Sequence, residues 1–366
     1  FWGFWMKTYK HLFPQICEFE NLYQAFLQAR KGKRRHPTVA SFEFNLEENL
    51  LRLQAQLQNG TWQPGQYTHF TIYDHKPRRI SAAPFADRIV HHALINVIGP
   101  IWENRFIHDS YACRAGKGTH AALDRSTAFA RRYPYVLQCD VVQFFPSVDH
   151  AILVGLLARY LADQSALDLC CRILASGADI HRQVYEMQWF PGDDIFAPLR
   201  GRGLPIGNQT SQFWANVYLH ELDLFAKQEL GSPGQRPAYL RYADDMLLFA
   251  ADKPTLHQWR REIETFLETL RLIIHPRQSR VYPVTCGIPF LGFTVYPDHR
   301  RLRRSAGLAF QRRFKRKLTE VAAGHVSLAS LHNSVRGWLG HVRHGDTYGL
   351  RRTILSQNLI LDGSML

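Results

Sequence analysis

The chain has 366 residues, which is enough for two or three folded units or for one large enzyme built from subdomains. Hydrophobic residues make up 46% of the chain and charged residues 21%, so the composition excludes a globally disordered protein. Lysine and arginine outnumber the acidic residues by 45 to 31, and the resulting net charge of +14 favours a polyanionic partner such as nucleic acid.

Two further classes of protein are excluded by residue patterns. No run of about 18 apolar residues is present, so we expect no transmembrane helix and no membrane partner. The six cysteines form no CxxC pair and show no zinc-ligand spacing with histidine, which excludes a disulfide scaffold. Scattered cysteines of this kind indicate reduced thiols, and we expect a cytoplasmic protein.

Apolar periodicity and turn residues predict the following elements in chain order. The first part of the chain is predicted to contain helices over 17–30, 42–58 and 85–98, with a strand from Tyr67 to Tyr73 that ends in a turn near Lys76 and Pro77. The middle is predicted to contain a buried strand around 133–142, a helix over 151–162, an insertion loop over 177–203 and a helix over 209–229. The last part is predicted to contain a helix over 255–270, strands over 280–284 and 289–296, and a basic helical tail from about 305.

Between these elements, residues 238–250 form two apolar runs around Asp244 and Asp245, which predicts a hairpin with both carboxylates at its tip. An ordinary polar turn is one explanation, since aspartate is common in turns. Adjacent carboxylates repel each other, however, and a divalent cation is the natural compensation.

Asp140 ends the apolar strand around 133–142, where a buried charge is costly unless it is paired or bound to a metal. If the hairpin lies beside this strand, Asp140, Asp244 and Asp245 form a cluster of three carboxylates. Such a cluster can hold two Mg²⁺ ions and is suited to in-line phosphoryl transfer.

The hairpin sequence YADD, from Tyr242 to Asp245, resembles the catalytic hairpin of reverse transcriptases. Further blocks resemble the same family in the same order over roughly residues 75–296. These blocks are Arg79–Leu94, Tyr111–His120, Asp140–His150, His275–Ser279 and Phe290–Phe293.

The resemblance implies an α+β fold shaped like a right hand, whose palm is an antiparallel sheet that carries the YADD hairpin and whose thumb is helical. It divides the chain into an N-terminal helical extension (1–60), fingers (61–132, with 150–203 partly fingers or insertion), a palm (133–149 and 204–298) and a basic helical thumb (299–366). The implied activity is RNA-directed DNA polymerisation with two Mg²⁺ ions and dNTP substrates.

The resemblance also assigns site residues. Asp140, Asp244 and Asp245 would be the metal-binding carboxylates, with the carbonyl of Val141 as an additional ligand. Phe145 would contact the sugar of the incoming nucleotide and select deoxynucleotides; an ordinary core aromatic is the alternative. Arg79 and Arg88 would bind the triphosphate, unless they are solvated surface arginines, and many relatives carry a lysine where this chain has Ala86. The turn formed by Phe290, Leu291, Gly292 and Phe293 would hold the primer end.

The segment Gly203–Gln212 resembles one subgroup of the family. Ile206, before Gly207, replaces the glutamine of intron-type and retroviral-type enzymes, and Gln212 follows Ser211 where intron-type enzymes have proline. This IGxxxSQ pattern is similar to that of reverse transcriptases from diversity-generating retroelements, which are encoded by bacteria or phages and misincorporate opposite template adenines. We expect Ile206, Gly207 and Gln212 near the nucleotide, and we expect Ile206 to lower fidelity because it offers shape without a hydrogen bond; simple packing is the alternative.

From His299 to Leu318 the chain carries nine basic residues and no acid, which favours binding to the phosphates of an RNA–cDNA duplex over a merely solvated helix face. These residues are Arg300, Arg301, Arg303, Arg304, Arg312, Arg313, Lys315, Arg316 and Lys317. The resemblance further implies a template-repeat RNA and a small basic, multimeric accessory protein as partners. Alternatives to this function are a retron-type or defence-associated reverse transcriptase, or a non-catalytic RNA-binding protein with a polymerase fold.

Overall fold

The computed structural model describes residues 7–73, 77–178, 180–231 and 237–356. Within these ranges helices and antiparallel sheets are interspersed along the chain, so the predicted α+β class is confirmed. No helix in these ranges combines the length and the apolar character needed to cross a membrane.

The α-helices are numbered in chain order. They are α1 (Leu12–Cys17), α2 (Phe19–Ala29), α3 (Pro37–Phe44), α4 (Leu46–Gln58), α5 (Phe85–Glu103), α6 (Thr119–Arg132), α7 (Phe144–Ser147), α8 (His150–Ala158), α9 (Gln164–Ser176), α10 (Gln209–Gln228), α11 (Lys253–Thr269), α12 (Arg304–Ala322), α13 (Leu328–Val342) and α14 (Tyr348–Ser356).

The strands form three antiparallel sheets with the orders β1-β2, β4-β5-β3-β6 and β7-β8-β9. They are β1 (Thr68–Tyr73), β2 (Pro77–Ala82), β3 (Tyr135–Cys139), β4 (Ala238–Tyr242), β5 (Asp245–Ala250), β6 (Arg280–Pro283), β7 (Ile288–Phe290), β8 (Phe293–Val295) and β9 (Arg300–Leu302).

The four-stranded sheet is buried on both faces, which explains why its strands read as nearly continuous apolar runs. Leu137 and Leu248 join the large core formed with the helices α1, α2, α5 and α8–α11. Their strand neighbours Val136 and Phe249 join a second core with α6, β7 and β8. Because successive side chains of a strand point to opposite faces, this alternation fixes the register of the sheet and the position of the residues that follow each strand.

Most predicted elements are present with shifted ends. The strand Tyr67–Tyr73 corresponds to β1, the helix 209–229 to α10, and the YADD segment forms the predicted hairpin of β4 and β5. The predicted helices 17–30 and 42–58 are each interrupted, at Glu18 and Asn45, where the backbone leaves the helical region. Part of the turn predicted near Lys76 falls on residues 74–76, outside the described residues.

The single strand predicted over 289–296 is wrong. The turn residues Leu291 and Gly292 both have positive φ, 47° and 85°, and they divide the segment into the hairpin of β7 and β8. Residues Arg300–Leu302, which were assigned to the helical thumb, instead pair with β8 as strand β9. The helices α6 and α9 were not predicted.

The C-terminal helices α12, α13 and α14 form a small core of their own. At its centre the rings of Phe310 and Trp338 stack in parallel with centroids 4.0 Å apart. The apolar positions of α12 face this core, so most of its basic side chains are left on the exposed side.

Candidate active site

The hairpin of β4 and β5 turns through two residues, Ala243 and Asp244, so that Tyr242 pairs with Asp245. Ala243 has a φ of 55°, in the left-handed region that is costly for a residue with a Cβ. The guanidinium of Arg241 donates a hydrogen bond to the carbonyl of Ala243 over 2.9 Å. The turn that carries the two carboxylates is therefore fastened to a buried side chain beneath it.

Asp140 is brought beside this hairpin by strand pairing. β3 runs antiparallel to β5 with Cys139 opposite Met246, so the next residue along β3 lies next to Asp245. On its other side the segment is held by His275, whose backbone N–H donates to the carbonyl of Asp140 over 2.7 Å. Val141, which is buried, bridges Ile274. The blocks that begin at Asp140 and His275 thus meet at one end of the sheet.

The three aspartates are coupled through their charges. Burial, followed by the charge of Asp140, raises the pKa of Asp244. Burial, followed by the charges of Asp244 and Asp140, raises the pKa of Asp245 to about 7. Arg78 and Arg303 act on Asp245 in the opposite direction. The site therefore concentrates negative charge that an external cation would stabilise.

The donor set fits a hard divalent cation, because carboxylate oxygens are the preferred ligands of Mg²⁺. Across the described part of the chain, however, no group of three or more His, Cys, Asp and Glu side chains has a geometry that could hold a metal ion. Asp140, Asp244 and Asp245 are thus close enough to perturb one another but do not converge on one ion position in this structure.

Phe145 lies on α7, five residues after Asp140, and is half-buried against Phe144 with ring centroids 5.5 Å apart. Its carbonyl accepts a hydrogen bond from the N–H of Leu204 over 2.8 Å. This bond joins the segment after Asp140 to the Gly203–Gln212 segment, so two separate sequence blocks are neighbours in the fold.

The residues Ile206, Gly207 and Asn208 hold the strand β2. The carbonyl of Ile206 accepts from the N–H of Ser81 over 2.9 Å. The buried amide of Asn208 donates to the carbonyl of Ser81 and accepts from the N–H of Ala83, each over 3.3 Å. Gly207 has a φ of 117°, and a Cβ there would lie 2.7 Å from Cγ2 of Ile80. Glycine is therefore required at this position for both conformation and space.

The arginines predicted to bind the triphosphate occupy different surroundings. Arg79 lies on one face of β2, where its charge acts on His181. Its neighbour Arg78, which was not among the predicted site residues, acts through its charge on Asp244 and Asp245 from the other face. Arg88 is half-buried, and its Nε donates to the carbonyl of Ala83 over 2.7 Å. Successive side chains of a strand point to opposite faces, so Arg78 shares a face with Ile80 and Arg79 does not. This alternation was the feature of the sequence from which the position of Arg78 could have been predicted.

Gln212 is exposed at the start of α10. It lines a cavity of about 330 Å³ between α5, the segment around Cys113 and α10. Gln212 lies one turn into α10, and its backbone N–H donates to the carbonyl of Asn208 over 3.4 Å.

The turn between β7 and β8 is anchored by Phe290 and Phe293, both buried. The carbonyl of Gly292 accepts from the N–H of Arg303 over 3.0 Å, which joins this turn to the start of α12. His341 of α13 packs on Phe293 with ring centroids 5.0 Å apart. The predicted primer-end turn thus lies against the first and second helices of the C-terminal core.

The nine basic residues do not form one uniform surface. Arg300 is engaged inside the fold: it pairs with Asp124 over 2.8 Å and donates to Thr127 over 2.7 Å, and its side chain is only 13% exposed. Arg316 pairs with Glu320 over 3.6 Å. The remaining basic side chains are exposed except Lys317, which is half-buried. They are Arg301, Arg303, Arg304, Arg312, Arg313 and Lys315.

A sequence model of one family, described as "Reverse transcriptase (RNA-dependent DNA polymerase)", matches residues 68–295, which is more than half of the chain. The chain is 24% identical over 288 residues to Protein YkfC of Escherichia coli (strain K12), a match that covers 69% of this chain and 71% of YkfC. It is 25% identical over 228 residues to the Group II intron-encoded protein LtrA of Lactococcus lactis subsp. cremoris, covering 61% of this chain but only 35% of LtrA. A shorter match, 30% identical over 97 residues, covers 26% of this chain and 14% of Nuclear intron maturase 1, mitochondrial, of Arabidopsis thaliana.

Proposed function

The chain belongs to the reverse transcriptase (RNA-dependent DNA polymerase) family, and from this premise we propose that it copies a template-repeat RNA into adenine-mutagenised cDNA for a diversity-generating retroelement. Polymerisation of DNA on an RNA template is the activity of the family. The source of the template and the error-prone outcome are the parts that we propose.

The observation that carries the proposal is the position of Asp140 next to the turn that presents Asp244 and Asp245. The two carboxylates of the turn and a third from a separate part of the chain meet at one end of a buried sheet, where burial, followed by the charges of Asp244 and Asp140, raises the pKa of Asp245 to about 7. A structural role gives no reason to gather like charges in this way, whereas binding of divalent cations does.

We assign the metal ligands to Asp140, Asp244 and Asp245, with the carbonyl of Val141 as a further candidate. When bound, two Mg²⁺ ions would supply the charge neutralisation and nucleophile activation that transfer of a nucleotidyl group needs. The protein itself contributes a rigid support, since the sheet and the segment around His275 fix the backbone on both sides of Asp140.

The nucleotide-binding residues follow from the same geometry. Arg78 is the candidate for pairing with the triphosphate, because its charge already acts on the aspartates and an arginine binds phosphate through a planar fork of donors. Phe145 is the candidate for contact with the sugar. Arg79 and Arg88 are weaker candidates, because Arg79 lies on the other face of β2 and Arg88 is fixed to a backbone carbonyl.

We propose that the β4-β5-β3-β6 sheet is the palm, that β1 and β2 belong to the fingers, and that α12, α13 and α14 form the thumb. The exposed basic side chains of α12 would then follow the phosphates of the RNA–cDNA duplex. The connection between Arg303 and Gly292 supports a turn, Phe290–Phe293, that holds the primer end next to the start of the thumb.

The proposed subtype depends on Ile206. Its backbone carbonyl is occupied by β2, so toward a nascent base pair this residue offers an apolar side chain without a hydrogen-bonding group. Reduced discrimination follows from the loss of such a bond. The second candidate function is accurate reverse transcription of the group II intron type, which is favoured by the similarity to LtrA and to an intron maturase.

Primer extension on a heteropolymeric RNA with Mg²⁺ and all four dNTPs, followed by sequencing of the cDNA, tests the proposal. Errors concentrated opposite template adenines are the expected result. Accurate cDNA would favour the intron-type function instead. Absence of any cDNA, also after addition of the proposed template RNA and a small basic accessory protein, would contradict polymerase activity itself.

A further inference from the structure

A buried ion pair lies beneath the YADD turn, and neither of its residues was among the predicted site residues. The guanidinium of Arg241, on β4, and the carboxylate of Asp223, on α10, are both fully buried and approach each other to 2.6 Å. A charged pair in such a place is not explained by stability alone, because removing two charges from water costs about as much as their attraction returns. Its position directly under the YADD turn indicates that the pair holds this turn in place.

All five N–H donors of Arg241 are used. Nε and Nη2 bind the two carboxylate oxygens of Asp223 over 2.7 and 2.6 Å. Nη2 also donates to the hydroxyl of Ser110 over 3.1 Å, and Nη1 donates to the side-chain oxygen of Asn216 over 3.2 Å. The fifth donor, on Nη1, binds the carbonyl of Ala243 over 2.9 Å. Four bonds therefore fix the plane of the guanidinium, and the fifth transmits that fixed position to the turn.

The bonded carbonyl belongs to a residue whose backbone needs support. Ala243 has a positive φ of 55°, a conformation that costs an L-residue roughly 1–2 kcal/mol. The next residue is Asp244, so a rotation of this peptide would move its carboxylate. The bond from Arg241 stabilises the one orientation in which the carbonyl points inward.

We propose that Arg241, held by Asp223, is a positioning residue that fixes the backbone of the turn, and with it the place from which the Asp244 carboxylate binds a divalent metal ion. This inference rests on the proposed metal-binding role of the aspartates. Arg241 touches neither substrate nor metal; it acts through the carbonyl of Ala243. A lysine could keep the charge next to Asp223, but with three donors and no planar fork it could not reach the carboxylate and the turn together.

The test measures Mn²⁺ binding to the purified full chain by electron paramagnetic resonance, without nucleic acid or dNTP. We expect Arg241→Lys to weaken Mn²⁺ binding by about fivefold to tenfold, the equivalent of one lost hydrogen bond. The matched control is Lys227→Gln, because Lys227 also forms a shielded ion pair from α10, with Asp109 over 3.0 Å, but does not contact the turn. We expect the control to lower the thermal stability and to leave Mn²⁺ binding within about twofold of the wild type, since no contact to the turn is lost.

A rescue variant separates positioning from a general structural defect. Glycine adopts positive φ without strain, so adding Ala243→Gly to Arg241→Lys is expected to restore part of the Mn²⁺ affinity. A collapse of the buried network would not be repaired by a change of one residue in the turn above it. If Arg241→Lys does not fold, Asp223→Asn takes its place, because it keeps the shape of the side chain and is expected to show the same loss and the same rescue.

The possible failures can be told apart. Wild-type protein that binds no Mn²⁺, or binds it equally after Asp244→Asn, would contradict the proposed function. If the wild type binds Mn²⁺ through Asp244, then an Arg241→Lys variant with unchanged affinity, or one that resembles Lys227→Gln, would overturn only the positioning role.

Discussion

Gly207 provides a quantitative test of how the segment Gly203–Gln212 supports β2, the strand that carries Arg78. A Cβ at this position would lie 2.7 Å from Cγ2 of Ile80, on a backbone with a φ of 117°. For Gly207→Ala the strained backbone and the overlap with Ile80 each cost about 1–3 kcal/mol. Gly60→Ala is the matched control, since Gly60 also has positive φ, 70°, but has no atom within 4 Å of the added methyl group.

The assay combines the free energy of unfolding, from urea denaturation, with the KM for dNTP in primer extension. Gly60→Ala is expected to lose only about 1–2 kcal/mol and to keep its KM. Gly207→Ala is expected to lose more stability and to raise the KM, because β2 must move and Arg78 moves with it. Ile80→Ala in the same chain should recover the part due to overlap. The reasoning is refuted if Gly207→Ala matches Gly60→Ala in both measurements.

Three further predictions concern the nucleotide and the duplex. Arg78→Ala should raise the KM for dNTP by about tenfold to a hundredfold, as expected for the loss of a charge-assisted pair. Arg79→Ala should have a much smaller effect. Equal effects of the two substitutions in steady-state kinetics would contradict the assignment of Arg78. Ile206→Gln should lower the error frequency opposite template adenines by up to about tenfold, as measured by sequencing the cDNA. An unchanged error spectrum would contradict a role of Ile206 in fidelity. Replacing both Arg312 and Lys315 by glutamine should reduce the salt dependence of duplex binding by about one to two units of the log–log slope, and an unchanged slope would exclude these side chains from phosphate contact.

The sequence was most informative where burial leaves a periodic signal. The strands β3, β4 and β5 were predictable because both faces of their sheet are covered, so that long apolar runs end abruptly at Asp140 and at the acidic turn. The hairpin of β7 and β8 was not, because its turn residues Leu291 and Gly292 lie inside an apolar segment.

The residues that support the site from within the fold were less predictable from the sequence than the three aspartates themselves. Arg241 reads as a surface arginine in the sequence, and its burial depends on Asp223, 18 positions away, and on Ser110, 131 positions away. Similarly, Asn208 acquires its role only when β2 lies against it. Sequence patterns report the local environment of a residue, whereas these roles depend on contacts between distant segments.

The most direct test of the central claim compares two single aspartate substitutions in Mg²⁺-dependent primer extension on an RNA template. Asp244→Asn removes one charge from the cluster of three carboxylates at the end of the sheet. Asp252→Asn changes the N-cap of α11 but keeps the side-chain oxygen that accepts from the N–H of Thr255. The account predicts that the first variant folds but makes no detectable cDNA and that the second extends the primer like the wild type. Undiminished synthesis by folded Asp244→Asn would contradict it.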